Sequence, residues 1–96
     1  MATLQSIRKI LQLHKSRLIS TYGLKNIAIF GSYSRDQQND ASDLDILVEF
    51  SRPVGIEFID LAEELEVLLN IKVDLVSRNG VRPEYLKQIE SDLNYV

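Results

Sequence analysis

The sequence predicts a small α/β (α+β) protein in which helices flank a mixed sheet of about three strands. Three short apolar runs have the length and composition of buried strands, and they span 26–30, 44–50 and 71–76. Three segments carry apolar residues at helical spacing, and they span 4–22, 56–69 and 83–92. The predicted order is therefore α-β-β-α-β-α. Ninety-six residues suffice for one core, so we expect a single domain over 1–96.

The first half of the chain carries clear signals for the ends of its elements. Leucine and isoleucine recur at helical spacing in the first helix, at positions 4, 7, 11 and 18. Thr3 is suited to cap that helix, and Gly23 is suited to end it. Between the first two strands, residues 32–35 are predicted to form a short helical turn, and Gln37 to Ala41 a polar loop.

The second half is divided in the same way. Pro53 and Gly55 interrupt the chain before the helix 56–69. The acidic residues of that helix lie mostly off its apolar stripe, which predicts a solvated face and not a site. Asn70 is suited to end the helix in a left-handed conformation. Ser77–Gly80 is predicted to be a turn, and Pro83 suits the first turn of the last helix.

Composition and charge exclude several classes of function. The chain has no cysteine, so disulfides and thiolate metal sites are excluded. Residues 1–35 hold six basic residues and no acid, and residues 36–96 hold five basic and fourteen acidic residues, which gives +6 and −9, hence −3. A net-acidic domain is a poor candidate for direct nucleic-acid binding. No apolar run is as long as a membrane span, and charged residues interrupt any signal-peptide core, so we expect a cytoplasmic protein without a membrane partner.

Three aspartates and a Gly-Ser pair have the clearest chemical implication. Gly31-Ser32 closes the first strand, Asp43 and Asp45 open the second, and Asp74 lies in the third. Side chains two apart on a strand share a face, so Asp43 and Asp45 are predicted to point the same way. At a separation of about 6 Å and an effective dielectric constant near 20, such carboxylates repel by roughly 3 kcal/mol. Hard oxygen ligands of this kind suit Mg²⁺ together with substrate phosphates.

Each of these elements alone has an ordinary structural interpretation. Strand-opening aspartates often lie in turns, and a glycine after a strand usually marks a turn. Asp74 favours the chemical interpretation, because it is an acid in an apolar run that we expect to be largely buried, where charge is costly. A turn leading into a helix also presents N–H groups to phosphate. Together the elements indicate a metal–phosphate site.

The spacing of these residues resembles the signature of the DNA polymerase beta-type nucleotidyltransferase superfamily. The resemblance extends over three stretches that are similar to the minimal nucleotidyltransferase (MNT) subfamily: Gly31-Ser32-Tyr33-Ser34-Arg35, Ser42-Asp43-Leu44-Asp45-Ile46-Leu47-Val48 and Val73-Asp74-Leu75-Val76. It covers 24–76, and the flanking helices also fit the nucleotidyltransferase fold that it implies. Proteins of this subfamily are commonly the antitoxin half of a two-gene module whose toxin is a HEPN-domain ribonuclease.

The resemblance implies that the three aspartates are metal ligands and catalytic residues. Asp43 and Asp45 would hold both of two Mg²⁺ ions. Asp74 would bind the ion that activates the acceptor hydroxyl. Transfer of a nucleoside monophosphate needs positioning and charge neutralisation, and two metal ions can act on the entering and the leaving oxygen.

The resemblance also implies a nucleotide site for ATP, the expected donor. Gly31 and Ser32 would bind the triphosphate. Arg35 would neutralise phosphate charge, with a surface salt bridge as the alternative, and Ser42 would order the loop before the aspartates. One departure is Asp36, where the family usually has glycine. An acid there would either weaken nucleotide binding or simply point to solvent.

The size of the chain limits the ways in which it could bind an acceptor. A core this small has no separate module to bind a nucleic acid or an antibiotic, so the acceptor docks by itself or is a folded partner. The resemblance favours a cognate HEPN toxin, modified with AMP on a tyrosine hydroxyl and thereby silenced. Four other interpretations remain: an inactive antitoxin that acts by steric binding, transfer to a small molecule, a nucleotide sensor, and a plain structural domain.

Overall fold

The structure, a computed structural model, describes residues 2–96. Within them the elements are α1 (Leu4–Tyr22), β1 (Leu24–Phe30), β2 (Leu44–Phe50), α2 (Glu57–Leu69), β3 (Val73–Ser77), α3 (Pro83–Ile89) and β4 (Asn94–Tyr95). Single 3₁₀ turns follow β3, at Arg78–Gly80, and α3, at Glu90–Asp92. The mixed α/β class and the order of the first six elements are confirmed, and the sheet has one strand more than expected.

The four strands form one mixed sheet in the order β3-β2-β1-β4. β1 pairs antiparallel with β2 and with β4, whereas β2 and β3 run parallel. A parallel pair cannot be joined by a tight hairpin, so the chain crosses over through α2 between β2 and β3. β4 has only two residues, Asn94 and Tyr95, which are too few to produce a strand pattern in the sequence.

Alternation along the strands divides the apolar residues between the two faces of the sheet. One face packs against α1 and α2 in the main core, where Ile46 of β2 and Leu65 of α2 are both buried. The other face carries a smaller cluster, in which Ile89 of α3 packs with Phe30 and Leu47. The sheet is therefore covered on both sides, by two long helices on one and by the short α3 on the other.

The helix ends follow the signals in the sequence. Thr3 and Ser6 form a reciprocal capping box, in which the N–H of each donates to the hydroxyl of the other at 3.0 and 3.1 Å. Gly23 and Asn70 take the left-handed conformation at the ends of α1 and α2, with φ of 68° and 54°. Pro83 begins α3. No helix within residues 2–96 has the length and hydropathy needed to cross a membrane.

Three boundaries differ from the prediction by two or three residues. β1 begins at Leu24, because this residue already pairs with Phe50 across the sheet. β3 begins at Val73, since the chain first turns out of α2 through the left-handed Asn70. The last helix ends at Ile89, and its expected final turn is a 3₁₀ turn instead.

Two glutamates of α2 contribute to the fold, so the acidic run is not only a solvated face. Glu64 accepts a hydrogen bond from the Tyr22 hydroxyl at 2.6 Å and forms an ion pair with Arg17, which links α1 to α2. Burial, followed by the bond to Glu64, raises the pKa of Tyr22 to about 12. Glu66 accepts a hydrogen bond from the N–H of Val73 at 2.9 Å. The exposed acids of this helix are Glu57, Asp60 and Glu63.

One buried and one exposed side chain of α2 test this packing. Leu65 is 1% exposed and Val67 is 81% exposed. We expect Leu65→Ala to lower the free energy of unfolding by about 2–5 kcal/mol, because it leaves a cavity in the main core. Val67→Ala, the matched control, should change it by less than about 0.5 kcal/mol. Urea unfolding measures both, and equal losses would contradict the orientation of α2.

Candidate active site

The register of β2 and β3 brings two of the predicted aspartates together. Asp45 and Asp74 are direct partners in this parallel pair, so their side chains lie on the same face of the sheet. Asp45 is half-buried and Asp74 is exposed. The prediction that Asp74 is largely buried is therefore wrong, because β3 is an edge strand and its side of the sheet is open to solvent at this residue.

The surroundings of the Asp45 carboxyl group shift its pKa. Its pKa is raised to about 6, mainly by burial and then by the charge of Asp74 and a hydrogen bond with it. The charge of Asp43 acts in the same direction, and the charge of Arg35 opposes it. The carboxylates therefore lie close enough to repel one another. A raised pKa within a group of carboxylates is typical of functional sites.

Asp43 lies two residues before Asp45, directly ahead of β2, and is exposed. Within residues 2–96, no three Asp, Glu, His or Cys side chains are arranged to enclose a metal ion. The structure thus pairs Asp45 with Asp74 across the two strands, and Asp43 lies at the start of β2, close enough for its charge to raise the pKa of Asp45. The donor set fits Mg²⁺, which takes carboxylate oxygens from a protein and completes its shell with water and phosphate.

Gly31 ends β1 beside Asp45. Its φ of 76° lies in the left-handed region that favours glycine. A Cβ atom at this position would lie 2.0 Å from Oδ2 of Asp45. Any other residue would therefore displace the carboxylate, so Gly31 is needed both for the turn and for the position of Asp45.

Residues 32–36 form the turn after Gly31, in agreement with the helical turn predicted at 32–35. The carbonyl of Gly31 accepts hydrogen bonds from the N–H groups of Ser34 and Arg35, at 3.1 and 3.2 Å. The N–H groups of Ser32 and Tyr33 donate to no backbone carbonyl in the described part of the chain. Free N–H groups at the start of a helical turn are suited to bind an anion.

Arg35 is held by the C-terminal part of the chain. Its guanidinium group forms an ion pair with the carboxylate of Asp92 at 2.5 Å and donates to Oε1 of Gln37 at 3.1 Å. The hydroxyl of Ser34 donates to the carbonyl of Asp92. The structure thus shows Arg35 in the salt bridge that was its alternative role. Nothing in the local sequence pattern marks Asp92 as its partner.

Ser42 organises the loop before β2. Its hydroxyl accepts a hydrogen bond from the N–H of Asn39 at 3.0 Å, and its own N–H donates to the carbonyl of Asn39 at 3.0 Å. Ser42 and Asp43 also line an open cavity of about 460 Å³, together with Tyr33 and residues 69–72. Asp45 and Asp74 do not line this cavity, so it meets the group of carboxylates only at Asp43.

Asp36 ends the turn in a left-handed conformation, with a φ of 58°. Glycine adopts this conformation without steric cost, whereas a residue with a Cβ atom does not. Its side chain is exposed, which agrees with the second of the two alternatives, that it points to solvent. The departure from the usual glycine therefore has a conformational cost.

Tyr85 of α3 belongs to the same region, although the sequence motifs did not identify it as a site residue. Its ring meets that of Phe30 edge-on, with the centroids 6.4 Å apart, and Phe30 is the cross-strand partner of Asp45. Burial, followed by the charges of Asp45 and Asp74, raises the pKa of Tyr85. The helical spacing could have indicated it, because Tyr85 lies four residues before the inward-facing Ile89 and so on the same face of α3.

Known proteins share both the sequence and the fold. The family profile described as Nucleotidyltransferase domain matches residues 7–96. Over 98 aligned residues, which span the full length of both chains, the sequence is 45% identical to a Methanocaldococcus jannaschii protein named "Putative protein adenylyltransferase". It is 40% identical to protein adenylyltransferase MntA of Thermococcus cleftensis, over 100% of this chain and 98% of MntA.

Two solved structures have a fold similar to that of this chain. A structure described as that of a "putative minimal nucleotidyltransferase" superposes with a TM-score of 0.83 and 30% identity, over 97% of this chain and 95% of the other. A toxin–antitoxin crystal structure with AMP-PNP contains a chain that superposes with a TM-score of 0.74 and 28% identity, over 88% of this chain and 70% of the other. Both superpositions show that the fold of this chain is shared with known nucleotidyltransferase and antitoxin structures.

The raised pKa of Asp45 makes the stability of the fold depend on pH. The folded-state value of about 6 exceeds the ordinary 3.8, so the folded chain binds more protons between these values. Stability therefore falls as pH rises through this interval, and the penalty is fully present above about pH 6. Asp45→Asn removes the penalty, and without divalent cations we expect it to stabilise the fold by about 1 kcal/mol at pH 8, after allowing for solvent screening.

Melting temperatures measured between about pH 3.5 and pH 8 test this dependence. The gain from Asp45→Asn should fall close to zero at the acidic end, where the carboxyl group is protonated in the folded state and mostly protonated in the unfolded state. Asp40→Asn, which changes an exposed acid of the loop, is the matched control and should show no such trend. A variant less stable than the wild-type chain at pH 8 would show that the carboxylate contributes to the fold.

The left-handed conformation of Asp36 yields a separate expectation. Asp36→Gly should raise the free energy of unfolding by up to about 1 kcal/mol. The backbone strain that it relieves in the folded state is larger, as a free energy, than the conformational entropy that glycine adds to the unfolded state. Asp40→Gly is the control, since Asp40 is an exposed aspartate of the same connection without a positive φ. Chemical denaturation measures both. Equal destabilisation by the two glycines would contradict the strain at Asp36.

Proposed function

The chain belongs to the nucleotidyltransferase family, and on that basis we propose that it transfers AMP from ATP to a tyrosine hydroxyl of a HEPN-type toxin and acts as its antitoxin. The observation that carries the proposal is the direct pairing of Asp45 and Asp74 beside the turn at Gly31. Relatives named protein adenylyltransferase support AMP as the transferred group. The toxin–antitoxin structure with AMP-PNP supports the kind of partner and of nucleotide. Residues 1–96 would act as one minimal nucleotidyltransferase domain.

Three aspartates are assigned to two Mg²⁺ ions in this proposal. Asp43 and Asp45 would hold both ions, and Asp74 would hold the ion on the acceptor side. When bound, the ions would neutralise the charge that develops on the entering and leaving oxygens. The raised pKa of Asp45 supports the assignment, because closely spaced carboxylates favour a bound cation.

The turn after β1 is assigned to the triphosphate of ATP. Gly31 allows close approach, and the free N–H groups of Ser32 and Tyr33 are suited to donate hydrogen bonds to a phosphate oxygen. Arg35 would exchange its bond to Asp92 for a phosphate contact, since the ion pair is exposed and such pairs are weak. Ser42 would maintain the loop that positions the first aspartate.

The exposed edge of the sheet is the side from which we expect the toxin to approach. In the proposed reaction, the tyrosine oxygen of the toxin bonds to the α-phosphorus of ATP, and the bond from that phosphorus to the bridging oxygen breaks. Pyrophosphate leaves, and the phenolic proton passes to water. Asp74 is exposed and lies on the edge strand β3, whereas Asp45 is half-buried in the neighbouring strand β2. A side chain of a partner can therefore reach Asp74 first.

A catalytically inactive antitoxin that binds its toxin sterically is the second candidate. Two observations favour it. Arg35 is engaged by Asp92, and Asp36 stands where the family usually has glycine, at the end of the turn assigned to phosphate. Both candidates require a partner protein, but only the first changes the partner covalently.

Intact-mass spectrometry of the toxin separates the two candidates. The chain is incubated with the HEPN-type toxin proposed as its partner, ATP and Mg²⁺. We expect the toxin to gain the mass of AMP on a tyrosine and to lose ribonuclease activity. EDTA should abolish the gain, because the carboxylates cannot hold the triphosphate by themselves.

Two substitutions complete the experiment. Asp43→Asn should lower the rate of AMP transfer to the toxin by at least about 100-fold, since it removes a proposed metal ligand. Asp40→Asn, an exposed acid three residues earlier, should leave the rate unchanged. A toxin that is bound and inhibited without gaining mass from any of the four common nucleoside triphosphates would establish the steric antitoxin.

A further inference from the structure

The chain carries a tyrosine of its own next to the proposed reaction centre. α3 packs on the face of the sheet that also bears Asp45 and Asp74, through Phe30 and Leu47. Tyr85 lies on the side of α3 that meets Phe30, and Phe30 is directly opposite Asp45 in the antiparallel pair. Cross-strand partners lie about 5 Å apart, so the Tyr85 side chain is placed within reach of the carboxylates.

The electrostatics of Tyr85 agree with this placement. Both Asp45 and Asp74 contribute to the raised pKa of its phenol, after burial. A carboxylate perturbs a neighbouring phenol appreciably only at short range, because water screens more distant charges. The hydroxyl of Tyr85 therefore lies within electrostatic range of the two side chains that are assigned to the reaction.

The other three tyrosines are placed differently. The hydroxyl of Tyr22 donates to Glu64 between the two long helices, on the opposite side of the sheet. Tyr33 is 4% exposed and belongs to the main core. The hydroxyl of Tyr95 accepts a hydrogen bond from Arg78. Tyr85 is thus the tyrosine that combines partial exposure with proximity to the carboxylates.

A cavity beside Tyr85 offers room for a covalent adduct. It is open, has a volume of about 500 Å³, and is lined by Tyr85 with Val81, Arg82 and Gln88, among others. Its size is within the range of sites that hold small organic molecules. Arg82 and Glu84 both line the cavity, so it offers a guanidinium group to a phosphodiester and an acceptor to a ribose hydroxyl.

We propose that Tyr85 is an acceptor within the chain, so that the protein without its toxin adenylylates its own Tyr85. This inference rests on the proposed function, because it uses the same donor and the same carboxylates. The phenolic oxygen of Tyr85 bonds to the α-phosphorus of ATP, the bond from that phosphorus to the bridging oxygen breaks, pyrophosphate leaves, and the phenolic proton passes to water. The product carries AMP on the acceptor side of the site, where it would compete with the tyrosine of the toxin.

The isolated chain, ATP and Mg²⁺ suffice for the test. We expect the intact mass of the chain to rise by one AMP, and fragmentation to locate the group on Tyr85. Tyr85→Phe keeps the ring against Phe30 and should abolish the gain, whereas Tyr95→Phe should leave it unchanged. Asp43→Asn should also abolish it, which ties the modification to the proposed reaction centre.

The outcomes separate this inference from the function on which it rests. A toxin that gains AMP while the isolated chain gains none overturns the self-modification and leaves the proposed function intact. Absence of AMP from both proteins overturns both. An adduct on Tyr33 or Tyr95 also overturns the inference. So does a loss of ATP affinity in Tyr85→Phe, measured by calorimetry, since it would make Tyr85 a nucleotide-binding residue.

Discussion

The close approach of two like-charged carboxylates is the constraint on which the rest of the structure depends. Asp45 and Asp74 face each other across a parallel pair of strands, and charges at this range repel by a few kcal/mol. Three features of the fold accommodate the pair. The crossover through α2 sets the parallel register, Gly31 leaves space for the Asp45 carboxylate, and the edge position of β3 keeps Asp74 in contact with water. The fold thus accommodates two neighbouring carboxylates at a cost in stability when no cation is bound.

Periodicity and end signals predicted most of the fold from the sequence. Thr3, Gly23, Asn70 and Pro83 act at helix ends as their local chemistry requires, and β2 has the predicted limits. Tertiary context decided the rest. β4 exists only because two residues reach the free edge of β1. Asp74 is exposed because β3 lies at an edge, and the position of a strand in a sheet cannot be read from its own residues.

The same distinction applies to the candidate site. Motif spacing located the aspartates and the glycine turn, because strand geometry converts spacing directly into a shared face. It did not locate Asp92 or Tyr85, which reach the site from the C-terminal third of the chain. Asp92 holds Arg35, and Tyr85 packs against Phe30, so both depend on where α3 crosses the sheet. Helical spacing from Ile89 places Tyr85 on the inner face of α3, but no local pattern shows that this face meets Phe30.

The parallel pairing of β2 and β3 has a consequence for how binding is coupled to folding. β1 and β2 follow one another in the chain and pair antiparallel, whereas β3 reaches β2 only through the crossover that contains α2. Gly31, Asp43 and Asp45 therefore depend on the pairing of two consecutive strands, whereas Asp74 depends on the longer-range contact between β2 and β3. A ligand that needs all four residues selects the completed native state, and its binding adds to the free energy of unfolding through mass action. For such a topology, maturation of the binding site and completion of the fold are the same event.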